Sequence, residues 1–150
     1  MKMLLLLLAT ALAGCAVSNV EGYSAVTVRN PELGEFTFFV EVAQTPEDFR
    51  EGLMFRESLD DDKGMLFPYK DSAQRSFWMK NTLIPLDIIF IDENLIIKRI
   101  HNAVPCRENP CQPYVSGVPV KYALEIRGNL TTEKNIKEGN VVELKLNEKR

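Results

Sequence analysis

The chain has 150 residues, a formal net charge of −3, 45% hydrophobic and 26% charged residues. This length suits one domain with a substantial core, and a mildly acidic chain without a basic run speaks against nucleic acid and against electrostatic docking on a membrane. No nucleophile elbow, phosphate-binding glycine loop or His-Glu metal helix occurs, no cofactor is implied, and one histidine, His101, excludes multi-histidine metal catalysis and leaves a Ser-His-Asp site only if His101 serves it.

At the N-terminus Lys2 supplies a positive charge, residues 3–8 with Ala9, Ala11 and Leu12 form a short apolar run, and Leu12-Ala13-Gly14-Cys15 ends it. That order is the pattern of a secretory leader. A membrane-spanning helix would need about twenty apolar residues, roughly twice this run. The four closing residues resemble the bacterial lipobox, in which the cysteine is lipidated and becomes the first residue of the mature protein. The resemblance implies a signal peptide over residues 1–14 and a lipidated tether over 15–24 beginning at Cys15. By length the remainder, 25–150, is a single domain, and the strand patterns that follow make it β-rich. Ala16 rather than aspartate follows the cysteine. By similarity to the sorting pattern of Gram-negative lipoproteins, this implies the periplasmic side of the outer membrane. Acyl chains contribute about 0.8 kcal/mol per buried CH2, so several chains hold a protein where one is marginal.

Farther along, Phe36, Phe38, Val40 and Val42 alternate with Thr37, Phe39 and Glu41, which predicts a strand with one apolar face. Thr45-Pro46-Glu47-Asp48 starts a helix, with a capping threonine, proline in the first turn and acids near the positive helix end. Gly52 stops it early. Residues 64–67 and 76–79 read as strands separated by a polar turn at 70–74. Residues 86–91 are apolar on both faces apart from Asp87, which predicts a central strand. Asp92-Glu93-Asn94 turns the chain back into a strand at 95–100. Tyr122, Leu124 and Ile126 alternate with Lys121, Glu125 and Arg127, which predicts a half-exposed strand. Thr131 or Thr132 can cap a last helical turn or two ending at Gly139, and Val142, Leu144 and Leu146 mark a closing strand. Strands outnumber helices and the connections are too short for repeated βαβ units. The fold expected is mainly β, a compact antiparallel sandwich or barrel with one or two short helices.

With Cys15 assigned to the anchor, Cys106 and Cys111 remain, both in the proline-rich loop Pro105-Cys106-Arg107-Glu108-Asn109-Pro110-Cys111. In an exported chain such a pair is expected to form a disulfide. A metal site using His101, Cys106 and Cys111 is the rival; it lacks an evident fourth ligand and a zinc-like spacing.

The densest segment is residues 75–92, Arg-Ser-Phe-Trp-Met-Lys-Asn-Thr-Leu-Ile-Pro-Leu-Asp-Ile-Ile-Phe-Ile-Asp. With Gly52-Leu53-Met54-Phe55-Arg56, Gly64-Met65-Leu66-Phe67 and the two-cysteine loop, it resembles the family catalogued as domain of unknown function 192, from about Val40 to Leu146. The resemblance implies a compact β-rich domain, often secreted or tethered, and brings no catalytic set. On a strand, Trp78 and Lys80 would share one face and Met79 and Asn81 the other. Trp78 and Lys80 facing a cleft could then line a pocket for a sugar ring or an acidic group; otherwise Trp78 or Met79 packs in the core while Lys80 snorkels to water. Asp87 needs donors or a positive partner if buried. It is either a general base or clamp in a pocket with Arg56, Lys80 and Asn81, or a structural acid tying its strand to a neighbouring loop. Met54, Met65 and Met79 could offer thioethers to Cu(I), although each sits in an apolar run where methionine fills gaps beside aromatic rings. These readings point to a lipid-anchored envelope protein with a non-enzymatic domain that binds a protein, a glycan or a small ligand. An envelope hydrolase around Asp87, Arg56 and Lys80 is the alternative, and a mainly structural role is a third.

Overall fold

The computed structural model describes residues 24–147. The leader, Cys15 and the tether as far as residue 23 lie outside the described residues, so the lipidation expectation concerns a part of the chain that they do not include. Among the described residues, no helix is long and apolar enough to cross a membrane.

The chain opens on a hairpin. Strand β1 (Ser24–Asn30) pairs antiparallel with β2 (Gly34–Val42). Asn30 Oδ1 closes the turn by accepting from the backbone N–H of Glu32 and Leu33 at 2.8 and 3.1 Å. Helix α1 (Pro46–Glu51) follows, and its start matches the sequence reading. Thr45 Oγ1 accepts from Asp48 N at 3.1 Å, while Asp48 Oδ2 accepts from Thr45 N at 2.9 Å, a reciprocal capping box. Gly52 ends the helix at φ +52°, a backbone region open to glycine. The helix returns the chain to β3 (Lys63–Ala73), which lies parallel to β2. The sheet is therefore mixed, mostly antiparallel as expected with this one parallel pairing, because one short helical crossover suffices to bring a strand back in the same direction.

Strand β3 runs through the segment expected to be a polar turn, and what was read as a strand at 76–79 shortens to β4 (Ser76–Phe77). Strands β5 (Leu86–Ile91) and β6 (Ile97–Ala103) form the expected hairpin, and all six residues of β5 are buried. The short β7 (Tyr114–Val115) pairs with β4 in a separate two-stranded flap. Strand β8 (Val120–Arg127) inserts between β5 and β3, α2 (Leu130–Glu133) follows, and β9 (Val141–Lys145) returns to β1. No threonine side chain caps α2; its N-cap is Asn129, in the left-handed region at φ +70°. The large sheet has the order β6-β5-β8-β3-β2-β1-β9. Its two edges meet at a single antiparallel bridge, Ile96 with Val141, so the sheet curls without closing into a barrel.

Two apolar clusters pack on the two faces of this sheet. One gathers Phe38, Leu66, Ile89, Leu124 and Ile126 with Leu130 of α2. The other gathers Met65, Phe67, Ile88, Phe90 and Ala123 beneath Leu53, Met79 and the ring of Phe49. Pairing fixes which residues share a face: Asp87 stands opposite Ile126, and Ile88 opposite Glu125. Asp87 and Glu125 therefore point to opposite faces of the sheet.

Candidate functional site

The second face carries an unexpected acid. Glu125 is flanked across the sheet by Met65 on β3 and Ile88 on β5, both apolar, and is only 5% exposed. Its Oε2 has no hydrogen-bond partner. Burial among these side chains pushes the carboxyl up to about 8, against a smaller downward pull from the Arg56 charge. The alternation with Tyr122, Leu124 and Ile126 had suggested that Glu125 faces water. It is covered because α1, the loop after it and the β4 segment lie over this face of β8, and no local pattern in residues 120–127 encodes that cover.

Glu125 lines a cavity of about 150 Å³. Five aromatic residues, Phe49, Phe67, Tyr69, Phe77 and Trp78, share the lining with Gly52, Leu53, Met54 and Thr82, and Arg50 and Glu51 contribute the charged rim. The rings support one another by edge or tilted contacts: Phe49 with Tyr69 at 5.3 Å and with Phe67 at 5.9 Å, and Phe67 with Phe77 at 5.1 Å. Gly52 keeps space free beside the acid. A Cβ added there would lie 3.4 Å from Oε2 of Glu125 and 3.2 Å from the ring of Phe67. Tyr69 is pushed up to about 12, chiefly by burial, so its phenol stays neutral at ordinary pH.

The residues singled out in the sequence fall around this cavity unequally. Trp78 lines it and is 48% exposed, while its neighbour Met79 is buried in the core. Neither lies on a strand, so the alternation argument does not apply; residues 78–82 are held instead as a turn. Thr82 N donates to Met79 O, and Phe55 N donates to Asn81 O at 2.9 Å. Asn81 sits at φ +56°, a left-handed position that asparagine tolerates well. The Lys80 ammonium lies 5.2 Å from the centre of the Trp78 ring. Asn81 Nδ2 is 4.0 Å from the sulfur of Met54, at the limit of contact. Arg56 makes a two-point ion pair with Glu41 at 2.7 and 2.9 Å, which fixes the loop carrying Gly52 and Met54 against β2. The pairing holds the Glu41 carboxyl below its ordinary range.

Asp87 belongs to a different environment. Fully buried, it accepts from Asn102 Nδ2 at 2.6 Å, Asn129 N at 2.9 Å, and Thr131 N and Oγ1 at 2.7 Å each. Two backbone amides, a hydroxyl and an amide side chain thus use its acceptor sites and tie β5 to the start of α2. No hydrogen bond or ion pair among the described residues joins it to Arg56 or Lys80. Cys106 and Cys111 are bonded, with Cα atoms 5.7 Å apart. His101 contributes its ring to an aromatic seam, 6.0 Å from Phe90 and 5.6 Å from Tyr114, and its Nε2 is 2.8 Å from Val115 O. Among the described residues, no group of three or more His, Cys, Asp or Glu side chains is placed to hold a metal.

A search of curated proteins finds no match. Among solved structures, the chain is similar to a protein of unknown function from Novosphingobium aromaticivorans DSM 12444, at 40% identity and a TM-score of 0.75, covering 85% of this chain and 91% of that one. It is also similar to a protein from Sinorhizobium meliloti 1021 whose name proposes a transcription regulator, at 32% identity and a TM-score of 0.75, covering 81% and 93%. The family model of domain of unknown function 192, described as an uncharacterised ACR, matches residues 28–144. With that match spanning most of the chain, and with two relatives of the same fold at these identities, the protein belongs to the uncharacterised family DUF192.

Proposed function

We propose that this protein is a lipid-anchored, non-enzymatic binding domain of the cell envelope, and that its ligand is a small molecule or side-chain head group received in the Glu125 cavity. One observation carries the reading: a buried carboxyl with an unpartnered oxygen lines an aromatic cavity that has a half-exposed tryptophan in its wall. A fold keeps such a group at a cost in stability, and a strongly desolvated acid in a cleft is a candidate functional group. The size of the cavity, about 150 Å³, favours a small group over a glycan, since pockets for drug-sized ligands run to about 300–1,000 Å³. Support for the anchor is the leader ending in Cys15, with Ala16 favouring the outer membrane.

The hydrolase alternative rests on Asp87, and Asp87 lies on the other face of the sheet, away from this cavity, whose other carboxyl, Glu51, stands at the rim. Nor does the name of the Sinorhizobium relative transfer easily. A chain of net charge −3 without a basic run shows no clustering of its cations of the kind that DNA phosphates attract.

Native mass spectrometry of the full-length protein extracted in mild detergent tests both parts. The expected spectrum shows diacyl or triacyl mass on Cys15, absent from Cys15→Ala, and a retained small molecule that is lost from Trp78→Ala and Glu125→Gln. An unlipidated wild-type chain would remove the anchor, and a ligand retained equally by both pocket variants would move the site elsewhere.

A further inference from the structure

Two buried side-chain atoms among the described residues lack a hydrogen-bond partner, Nε of Arg75 and Oε2 of Glu125. The Arg75 guanidinium is otherwise engaged: Nη2 donates to Asp71, and the group lies 3.9 Å from the centre of the Tyr69 ring. Glu125 has no comparable compensation. Whatever fills its cavity should donate an N–H or O–H to Oε2, because a buried acceptor left empty loses its hydration without replacement. An anion would meet Glu125 itself, while the rim carries one charge of each sign, Arg50 and Glu51. An ammonium group, by contrast, supplies a donor and the positive charge that lets a buried carboxyl ionise.

The walls suit the same ligand. Two of the five aromatic side chains in the lining already carry a cation on one face, Arg75 over Tyr69 and Lys80 over Trp78. The cavity holds the equivalent of about five waters by liquid volume, the size of an ammonium head with a short aliphatic stem. Building on the reading of this cavity as a ligand site, we propose that it receives the primary or secondary ammonium head of an alkylamine, which donates an N–H to Oε2 of Glu125 and lays its stem against the aromatic wall at Phe77 and Trp78.

This geometry couples binding to a proton. Burial pushes Glu125 up to about 8, so at neutral pH the ligand must displace the carboxyl proton, which leaves to solvent while the ammonium keeps its own. Affinity therefore rises about tenfold per pH unit well below pH 8, about fivefold between pH 7 and pH 8, and then levels, following the fraction of ionised Glu125. Other charged or titratable groups stand close. Tyr69 shares the cavity and stays neutral until about 12; Arg50 and Glu51 share its rim. Arg56, pinned by Glu41, favours the ionised acid. Lys80 stands over Trp78, where an incoming cation competes with it.

Trp78 is the only tryptophan in the sequence and lines this cavity, so its fluorescence responds to occupancy there. The test titrates the full-length protein with n-butylammonium and with 1-butanol, which has the same reach and a donor but no charge. The proposal expects a saturable change with n-butylammonium only, tightening about fivefold from pH 7 to pH 8, with close to one proton released at pH 7 in calorimetry. Glu125→Gln should weaken it at least about tenfold. Should that variant fail to fold, the wild-type pH series and proton count decide alone. Equal binding of 1-butanol, or binding indifferent to pH, overturns the ammonium assignment and leaves the cavity as a site for a neutral donor. If neither probe binds, the ammonium assignment falls as well. The cavity then stands as a ligand site only if native mass spectrometry finds another molecule lost with Glu125→Gln.

Discussion

Two carboxylates on opposite faces of one sheet show how environment assigns roles to the same functional group. Asp87 is saturated with donors, whereas Glu125 is desolvated without a hydrogen bond to Oε2. Asp87→Ala would leave two backbone N–H groups and the Asn102 amide without their acceptor. It should cost about 3–5 kcal/mol in chemical denaturation while leaving the cavity on the far face intact in any variant population that folds. Glu125 behaves in the opposite sense. Its folded value, about 8, lies above the ordinary 4.5, so the native state binds more protons than the unfolded chain between those limits. Stability contributed by this group is therefore fully present below pH 4.5 and is lost as pH rises toward 8. The unfolding free energy of Glu125→Gln relative to wild type, from chemical denaturation, should thus climb across this window, by a difference on the order of a few kcal/mol at its upper end. A flat difference would mean that the acid is hydrated or paired in solution.

At the scale of elements, local signals were legible where local chemistry decides. The Thr45–Asp48 capping box appears as read, and Thr45→Ala should cost about 1 kcal/mol. Because α1 roofs the cavity with Phe49, this variant should also raise proteolysis within residues 45–56 before any global unfolding is seen. The burial of β5 follows from its apolar run, and the pairing of Cys106 with Cys111 from their shared loop. Opening that small ring through Cys106→Ser with Cys111→Ser should cost about 2 kcal/mol at most, and its effect should stay near residues 104–114 in hydrogen exchange. Other features depend on partners distant in sequence. Glu125 is one, since residues 45–56 and 76–82 cover it from afar, whereas strand β1, absent from the sequence reading, does carry a signal in Val26 and Val28 alternating with Thr27 and Arg29. Trp78 and Asn81 were singled out by residue type, but the turn that turns Trp78 toward the cavity and Met79 into the core is set by contacts with Phe55 and Cys106.

For the molecule as a whole, the mixed sheet gives rigidity and the segments over its second face build the cavity. Seven strands hold Met65, Glu125 and Ile88 in one row, so the acid cannot swing away from its apolar neighbours without disturbing three strands. The cover is built from a six-residue helix, a glycine-ended loop and the turn at residues 78–82, pieces that can adjust without unfolding the sheet. A lipid at Cys15 would hold this cavity close to the membrane surface, where an amine-bearing head group or protein side chain is within reach. The account depends above all on the state of Glu125. The most direct measurement is a titration of its side-chain carboxyl carbon by NMR in the full-length protein, with and without n-butylammonium. The account predicts a midpoint near 8 for the free protein, moving downward as the amine is added. A midpoint at the ordinary value near 4.5, unmoved by the amine, would contradict it.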